Sequence, residues 1–312
     1  MRTLGATGLP VTPLGLGLAA LGRPGYINLG HAGDVGDTDV AAMERHAHAV
    51  LDAAYAGGVR YFDAARSYGR AEAFLASWLG DREVTVGSKW GYTYTAGWRV
   101  DAEEHEVKDL SADTLRRQFG ETRALLDDRL SLYQIHSATV ESGVLDDTAV
   151  REELARLRQA GVFVGFTATG PRQADTIERA LEVGGFDAVQ ATWNLHERSA
   201  GPALAAAHEA GLGVIVKEAL ANGRLTARGD GSGALADAAR ERATTPDALA
   251  LAAVLAQPWA DVVLSGAATV DTLRSNLGAL DVAWDADLDE RLATLVEPAE
   301  EYWERRSELA WN

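Results

Sequence analysis

Short apolar runs alternate with longer amphipathic stretches along almost the whole chain of 312 residues. The short runs are rich in β-branched residues and predict β-strands, which lie at about 11–16, 59–63, 84–89, 130–136, 162–168, 187–191, 213–217 and 261–265. The longer stretches have a helical period and predict helices at 39–56, 72–79, 112–126, 148–159, 173–183, 203–210, 246–256 and 270–280.

This alternation predicts a parallel sheet, because each helix crosses over between two neighbouring strands. With eight strands, the α/β chain is expected to close into a (β/α)8 TIM barrel. An open, doubly wound sheet with insertions is the less favoured alternative. No linker interrupts the pattern, so we expect one barrel domain over 1–312.

Segments outside the alternation are expected to cap or overhang this barrel. The first residues have a turn signal between Gly5 and Gly8 and predict an N-terminal β-hairpin cap. Loops that follow strand ends at 22–37, 92–109 and 219–232 should shape a pocket at the barrel mouth. The aromatic C-terminal tail, 297–312, should either fold over that mouth or pack against the outer helices.

Composition and charge exclude several classes of function. No apolar run approaches the ~20 residues that span a bilayer, and the first residues lack the apolar stretch of a signal peptide, so we expect a soluble, cytoplasmic protein. The chain has no cysteine, which excludes disulfides, thiolate metal sites and cysteine nucleophiles. A net charge of −17 argues against nucleic acid or an anionic membrane as partner.

Lysine is rare, and its positions are informative. The 29 basic residues include only three lysines, Lys89, Lys108 and Lys217. Lys89 and Lys217 end strand-like runs, whereas a solvating lysine is more common on a helix face.

Four polar residues at or near strand ends form a candidate catalytic group: Asp63, Tyr68, Lys89 and His136. The carboxyl ends of barrel strands meet at one mouth, where such enzymes keep their chemistry. A tyrosine titrates near 10, so a proton-donating Tyr68 needs a cation beside it, and Lys89 would stabilise its phenolate. Asp63 would balance the charge of Lys89, and His136 would orient a substrate oxygen as a neutral imidazole. This arrangement suits carbonyl reduction and requires no metal.

Several ordered motifs together resemble the aldo-keto reductase family over nearly the whole chain. They are the N-terminal hairpin with Leu14-Gly-Leu-Gly17, Phe62-Asp-Ala-Ala-Arg-Ser-Tyr-Gly69, Leu132-Tyr-Gln-Ile-His136, Gln190-Ala-Thr-Trp-Asn194 and Ser265-Gly-Ala267 leading to Asn276. The resemblance implies a (β/α)8 barrel that uses a nicotinamide cofactor, and it assigns the family's catalytic tetrad to the same four residues.

The resemblance also implies cofactor contacts. Thr169 and Gln190 match the positions that bind the nicotinamide carboxamide, and Gly170 stands where many members have asparagine. The phosphate and adenosine end matches Gly266, Ala267, Thr272 and Asn276, where a strand turns into a helix. Further contacts are implied for Gly17, Lys217 and Leu220.

Two positions depart from the family pattern. Many relatives have an aromatic residue that stacks on the nicotinamide where this chain has Lys217, which instead would contact a cofactor phosphate or pair with Glu218. NADP is the cofactor that the family implies, but its 2′-phosphate needs a cation, and Arg274 is the sole basic candidate after the last strand. NAD is therefore a rival.

Trp90, Trp98 and Trp193 lie near strand ends and predict a partly aromatic substrate pocket, suited to an aromatic aldehyde or the apolar face of a sugar. We expect an NAD(P)-dependent oxidoreductase that interconverts a small carbonyl compound with its alcohol. The main alternative is a regulatory barrel that senses a nicotinamide cofactor without rapid turnover. A metal-dependent barrel hydrolase is a second alternative, but the sequence offers few carboxylates and histidines at strand ends for it.

Overall fold

A computed structural model describes residues 1–229 and 233–312. Its strands, in chain order, are β1 (Arg2–Thr3), β2 (Pro10–Val11), β3 (Leu14–Gly17), β4 (Tyr61–Asp63), β5 (Thr85–Trp90), β6 (Tyr92–Tyr94), β7 (Glu106–Lys108), β8 (Leu130–Ala138), β9 (Phe163–Ala168), β10 (Ala188–Thr192), β11 (Gly213–Lys217) and β12 (Val262–Ser265).

Eight of these strands close into the predicted parallel barrel. Its order is β3-β4-β5-β8-β9-β10-β11-β12, and β12 pairs with β3 through Leu264 and Gly15 to complete the ring. Each barrel strand overlaps one of the eight apolar runs in the sequence, so the predicted fold class is confirmed.

Helices cover the outside of the barrel. They are α1 (His31–Val35), α2 (Val40–Ala56), α3 (Ala71–Leu79), α4 (Ala112–Leu126), α5 (Thr148–Gln159), α6 (Gln173–Val183), α7 (Gly201–Glu209), α8 (Gly233–Glu241), α9 (Pro246–Leu255), α10 (Val270–Leu277), α11 (Ala286–Leu292) and α12 (Ala299–Ser307). Side-chain caps fix several starts: Ser111 accepts a hydrogen bond from the Thr114 amide, and Asp147 accepts one from Val150. None of the helices in the described ranges is long and apolar enough to span a membrane.

The N-terminal hairpin, β1 paired antiparallel with β2, is also confirmed. Leu4 and Val11 are fully buried in a cluster with residues from the first halves of barrel strands, including Tyr61, Leu132 and Ile215. The hairpin therefore closes the end of the barrel opposite to the strand ends that face the loops.

The overhanging segments contain more structure than the sequence indicated. The 22–37 stretch contains α1, the 92–109 stretch contains the antiparallel pair β6–β7, and the prediction omitted α8, α11 and α12. α1, β6, β7 and α11 have seven residues or fewer, so their hydrophobic periods are too short to be distinguished from loops. α8 and α12 are as long as the predicted α3 and α7, so length does not explain their omission. The last part of the predicted 219–232 loop, residues 230–232, lies outside the described residues.

Candidate active site

A cavity of about 670 Å³ opens at the carboxyl ends of the barrel strands. All three overhanging segments and the C-terminal tail contribute to its walls, and Asp63, Tyr68 and His136 line it. Its volume lies within the ordinary range for small-molecule and cofactor sites.

Lys89 and Asp63 form a buried ion pair at the floor of this cavity. Their side chains are 1% and 2% exposed and are in direct contact. Lys89 Nζ also donates to the Ala64 carbonyl at 3.0 Å. Asp63 Oδ1 accepts hydrogen bonds from Tyr61 Oη at 3.2 Å and Gln190 Nε2 at 3.1 Å. A buried charge is costly unless it is paired and hydrogen-bonded, and both charges meet this condition.

Tyr68 joins this pair from the loop after β4, with its hydroxyl oxygen 3.4 Å from Lys89 Nζ. The loop is held by a close backbone approach at Gly22 and Gly69. A Cβ atom on Gly22 would lie 2.2 Å from the Tyr68 carbonyl oxygen, and one on Gly69 would lie 2.4 Å from the Gly22 carbonyl oxygen. Glycine at both positions therefore allows the first overhanging loop to pack directly on the tyrosine segment.

The pKa of Tyr68 differs from the sequence-based expectation. Burial raises this pKa above its ordinary value of 10, the Asp63 carboxylate raises it further, and the Arg23 guanidinium opposes them. The net result is a pKa above 10, and not the lowered pKa expected for a phenol beside a cation. Tyr68 is thus a protonated phenol over the physiological pH range.

His136 lies against Tyr68, with ring centroids 5.5 Å apart in an edge-to-face arrangement, and Tyr92 packs on its other side. Burial lowers the pKa of His136 well below 6.5, and the positive charges of Lys89, Lys217 and Arg23 lower it further. The imidazole is therefore neutral at pH 7, which is the protonation state expected from the sequence.

Lys217 and its neighbour Glu218 form a second charged group on the cavity wall. Lys217 Nζ donates to Thr192 Oγ1 at 2.9 Å and lies 4.0 Å from Glu218 Oε1, while Arg306 binds the same carboxylate at 2.6 Å. Burial lowers the pKa of Lys217 to about 8. Burial opposes ionisation of Glu218, but Arg306 and Lys217 hold its pKa at about 2. The sequence-based alternative of a Lys217–Glu218 pair is thus present, with Arg306 as an added partner.

Most residues that the resemblance assigned to the cofactor line the cavity. They are Gly17, Thr169, Gln190, Lys217, Leu220, Gly266, Ala267, Thr272 and Asn276. Gly170 does not line the cavity; its positive φ of 84° places it in the turn after β9. Arg274 is also outside the lining, since its exposed side chain pairs with Asp271 at 3.3 Å.

The placement of the three tryptophans corrects the predicted substrate wall, because none of them lines the cavity. Trp90 is fully buried in the main core, since it follows Lys89 on a strand where successive side chains point to opposite faces. Trp98 donates from Nε1 to the Thr38 carbonyl at 2.7 Å, and Trp193 packs edge-to-face on Trp259.

Several cavity residues were not identified from the sequence. Arg23 and Tyr26 come from the first loop, Glu106 begins β7, and Arg306 lies on α12. The C-terminal tail adopts both of the expected placements. Tyr302 and Trp303 are buried against the outer helices, while Trp311 lines the mouth of the cavity. No local motif marks these residues, since their contacts join segments far apart in the chain.

The cavity residues fit a nicotinamide dinucleotide. Asn222 and Asn276 both line the cavity, and each has a buried amide oxygen without a hydrogen-bond partner among the described residues. Gly266 leaves open space, because a Cβ atom there would meet no atom closer than 4.0 Å. Uncommitted acceptors beside an open backbone suit a large polar ligand. Within 1–229 and 233–312, no group of three or more histidine, aspartate or glutamate residues could hold a metal ion.

Comparisons with known proteins identify the family and the fold. The model of the Aldo/keto reductase family matches residues 13–297. The uncharacterized oxidoreductase YqkF of Bacillus subtilis is 24% identical over 309 residues, covering 89% of this chain and 90% of that protein. Pyridoxal 4-dehydrogenase of Microbacterium luteolum is 30% identical over 218 residues, covering 60% of this chain and 59% of that protein. The holo form of aldo-keto reductase AKR11C1 from Bacillus halodurans has a TM-score of 0.75 at 22% identity, covering 97% of this chain and 98% of that one.

The fold and these relatives define an oxidoreductase that acts on carbonyl compounds or alcohols. The chain belongs to the aldo/keto reductase family, since the family model matches nearly all of its length. The resemblance inferred from the sequence is confirmed.

The chemistry of Lys217 can be tested directly. Because its pKa is lowered to about 8, its amine is neutral and nucleophilic above that pH. We expect acetic anhydride to label Lys217 with a half-maximal rate near pH 8, measured by peptide mass spectrometry. The fully buried Lys89 serves as an internal control and should remain unlabelled in the folded protein. A midpoint above pH 10 for Lys217 would contradict the environment described.

Proposed function

We propose that this protein is an NAD(P)-dependent oxidoreductase that interconverts a small aldehyde or ketone with the corresponding alcohol, with Tyr68 as general acid and base. The observation that supports it best is the Tyr68 hydroxyl 3.4 Å from Lys89 Nζ, above the buried Lys89–Asp63 pair and beside a neutral His136 in one cavity. The oxidoreductase names of the relatives also support it.

In the reductive direction, Tyr68 donates its proton to the substrate oxygen as the carbonyl carbon is reduced. Negative charge then develops on the phenolic oxygen, where the Lys89 ammonium stabilises it. The neutral imidazole of His136 donates a hydrogen bond that orients the substrate oxygen. Asp63 acts through Lys89, because it holds the ammonium group in place and balances its charge while the site is at rest.

A nicotinamide dinucleotide, when bound, supplies the hydride. The residues that would hold it are those of the cavity lining from β3, β10, β11 and the turn after β12, with Asn222 and Asn276 offering free amide oxygens.

The charges along the cavity weaken the family expectation of NADP. Two segments of the cavity lining lie near the turn after β12, residues 245–247 and 264–276. Among their described lining residues, Asp247 is charged and none is a lysine or arginine. A 2′-phosphate dianion needs a cationic partner. Arg274 is paired with Asp271 outside the cavity, and Arg228, which lines the cavity, is paired with Asp34. We therefore propose NAD as the preferred cofactor, with NADP as the alternative.

The role of Tyr68 predicts the result of Tyr68→Phe. We expect turnover of aldehydes to fall roughly 10²- to 10⁴-fold, because the proton donor is lost, while NADH still binds in a tryptophan-fluorescence titration. Tyr94→Phe is the matched control, since Tyr94 lies on β6 outside the cavity lining, and it should keep wild-type activity. Turnover near wild type in Tyr68→Phe would remove Tyr68 from this role. A wild-type protein that binds cofactor but turns over no aldehyde would favour the regulatory barrel.

The raised pKa of Tyr68 predicts opposite pH profiles for the two directions. A raised pKa keeps the phenol protonated to higher pH, and His136 is already neutral, so kcat/KM for reduction should be flat between about pH 6 and 7.5, where Lys217, with a pKa of about 8, is still mostly protonated. Oxidation needs the phenolate, so its kcat/KM should rise about tenfold per pH unit over that range. A bell-shaped profile centred near neutrality for reduction would contradict the assignment.

A further inference from the structure

A second ion pair lines the cavity beside Tyr68. Arg23 Nη1 donates to Glu106 Oε2 at 3.0 Å and to the Ser67 carbonyl at 3.0 Å, and both charged side chains line the cavity. The guanidinium carbon lies 5.2 Å from the centroid of the Tyr68 ring. The pair is thus placed to touch a substituent a few bonds away from a carbonyl group held by Tyr68.

Arg23 is held rigidly. Its side chain is 4% exposed, and its guanidinium carbon lies 5.1 Å from the Tyr26 ring centroid and 4.6 Å from that of Trp311. Trp311 is stacked in turn on His105 at 3.9 Å. The last residue, Asn312, pairs through its backbone with Tyr26, with both N–H···O distances 3.1 Å. A guanidinium fixed in this way presents its donors in one orientation, which favours specific recognition over general attraction.

The pair presents a donor and an acceptor and has little net charge. Among the described residues, Arg23 Nη2 and Glu106 Oε1 have no hydrogen-bond partner. A hydroxyl group both donates and accepts, so it can use both groups at once. A carboxylate on the ligand would approach Glu106 with the same charge, and an ammonium group would approach Arg23 with the same charge.

From these observations we infer that Arg23 and Glu106 form a hydroxyl-binding subsite, and that the substrates are neutral carbonyl compounds with a hydroxyl group near the carbonyl, such as hydroxyaldehydes and sugars. The inference rests on the proposed function, because it concerns the substrate of the same cavity. It assigns to Arg23 and Glu106 the selection of the substrate, separately from the proton transfer by Tyr68.

The test compares three aldehydes in four proteins. Glyceraldehyde has hydroxyl groups near the carbonyl, propanal lacks them, and succinate semialdehyde has a carboxylate. kcat/KM is measured for the wild type, Arg23→Met, Glu106→Gln and Glu104→Gln, with whichever of NADH and NADPH the wild type uses better. Glu104 is an exposed acid of the same segment outside the cavity lining, and its variant is the control for loss of one negative charge. Circular dichroism checks the fold of each variant.

The readout is the ratio of two aldehydes within one protein, compared between proteins. This comparison cancels the hydration of each aldehyde and any common effect of Arg23 on Tyr68. Arg23→Met should lower the glyceraldehyde-to-propanal ratio roughly 10- to 100-fold, the range for loss of a charge-assisted hydrogen bond. Glu106→Gln leaves the Arg23 charge unbalanced, so it should raise the succinate semialdehyde-to-propanal ratio about tenfold. Glu104→Gln should change neither ratio by more than about twofold.

Two kinds of failure are distinguishable. If the wild type reduces these aldehydes but Arg23→Met leaves the glyceraldehyde-to-propanal ratio unchanged, the subsite is overturned while the proposed function stands. An unchanged succinate semialdehyde-to-propanal ratio in Glu106→Gln also overturns it, and this variant replaces a half-buried carboxylate with an amide of the same size. If the wild type reduces none of the aldehydes with either NADH or NADPH, the proposed function fails and the subsite fails with it.

Discussion

The contact between Lys89 and Asp63 is the interaction on which the rest of the site depends. It places two opposite charges inside the barrel with almost no solvent exposure, and residues of β4, β5, β8 and β10 surround it. Such a pair is tolerated only when its geometry and hydrogen bonds are good, so the surrounding strands are constrained to keep their register. The proposed chemistry uses this constraint, because the ammonium group is held 3.4 Å from the Tyr68 hydroxyl.

Besides the Lys89–Asp63 pair at the floor of the cavity, two further ion pairs lie in the cavity wall. Arg23 and Glu106 join the first overhanging loop to β7, and Arg306 on α12 binds Glu218 beyond β11. Glu218 has a positive φ of 54°, a strained conformation that costs roughly 1–3 kcal/mol and is held by these contacts. In a chain with a net charge of −17, the cavity wall therefore gathers cations, each beside a carboxylate. For the substrate, this balance favours neutral polar compounds over highly charged ones.

The parts of the fold and of the site that could be predicted from the sequence are those that a local sequence pattern determines. The strands and helices follow from hydrophobic period, and the positions of Asp63, Lys89 and His136 near strand ends follow from the barrel. Successive side chains of a strand point to opposite faces, so Trp90 points away from Lys89. The assignment of Trp90 to the cavity could therefore have been avoided from the sequence. Arg23, Glu106 and Arg306 could not be found in this way, because their ion-pair partners lie 83 or more residues away. The raised pKa of Tyr68 follows from its burial and from the nearby Asp63 carboxylate, and local sequence pattern shows neither.

The most direct test of the central ion pair is the single-turnover rate of NADH oxidation by an aldehyde in the double variant Asp63→Asn, Lys89→Met. The single variant Lys89→Met leaves Asp63 buried without its partner and should lower the free energy of unfolding by about 3–5 kcal/mol. The double variant removes both charges and should recover most of that stability. The account predicts that it also binds NADH yet reacts roughly 10²- to 10⁴-fold more slowly than the wild type. A stable double variant with a wild-type rate would contradict the account, because the pair would then support the fold alone.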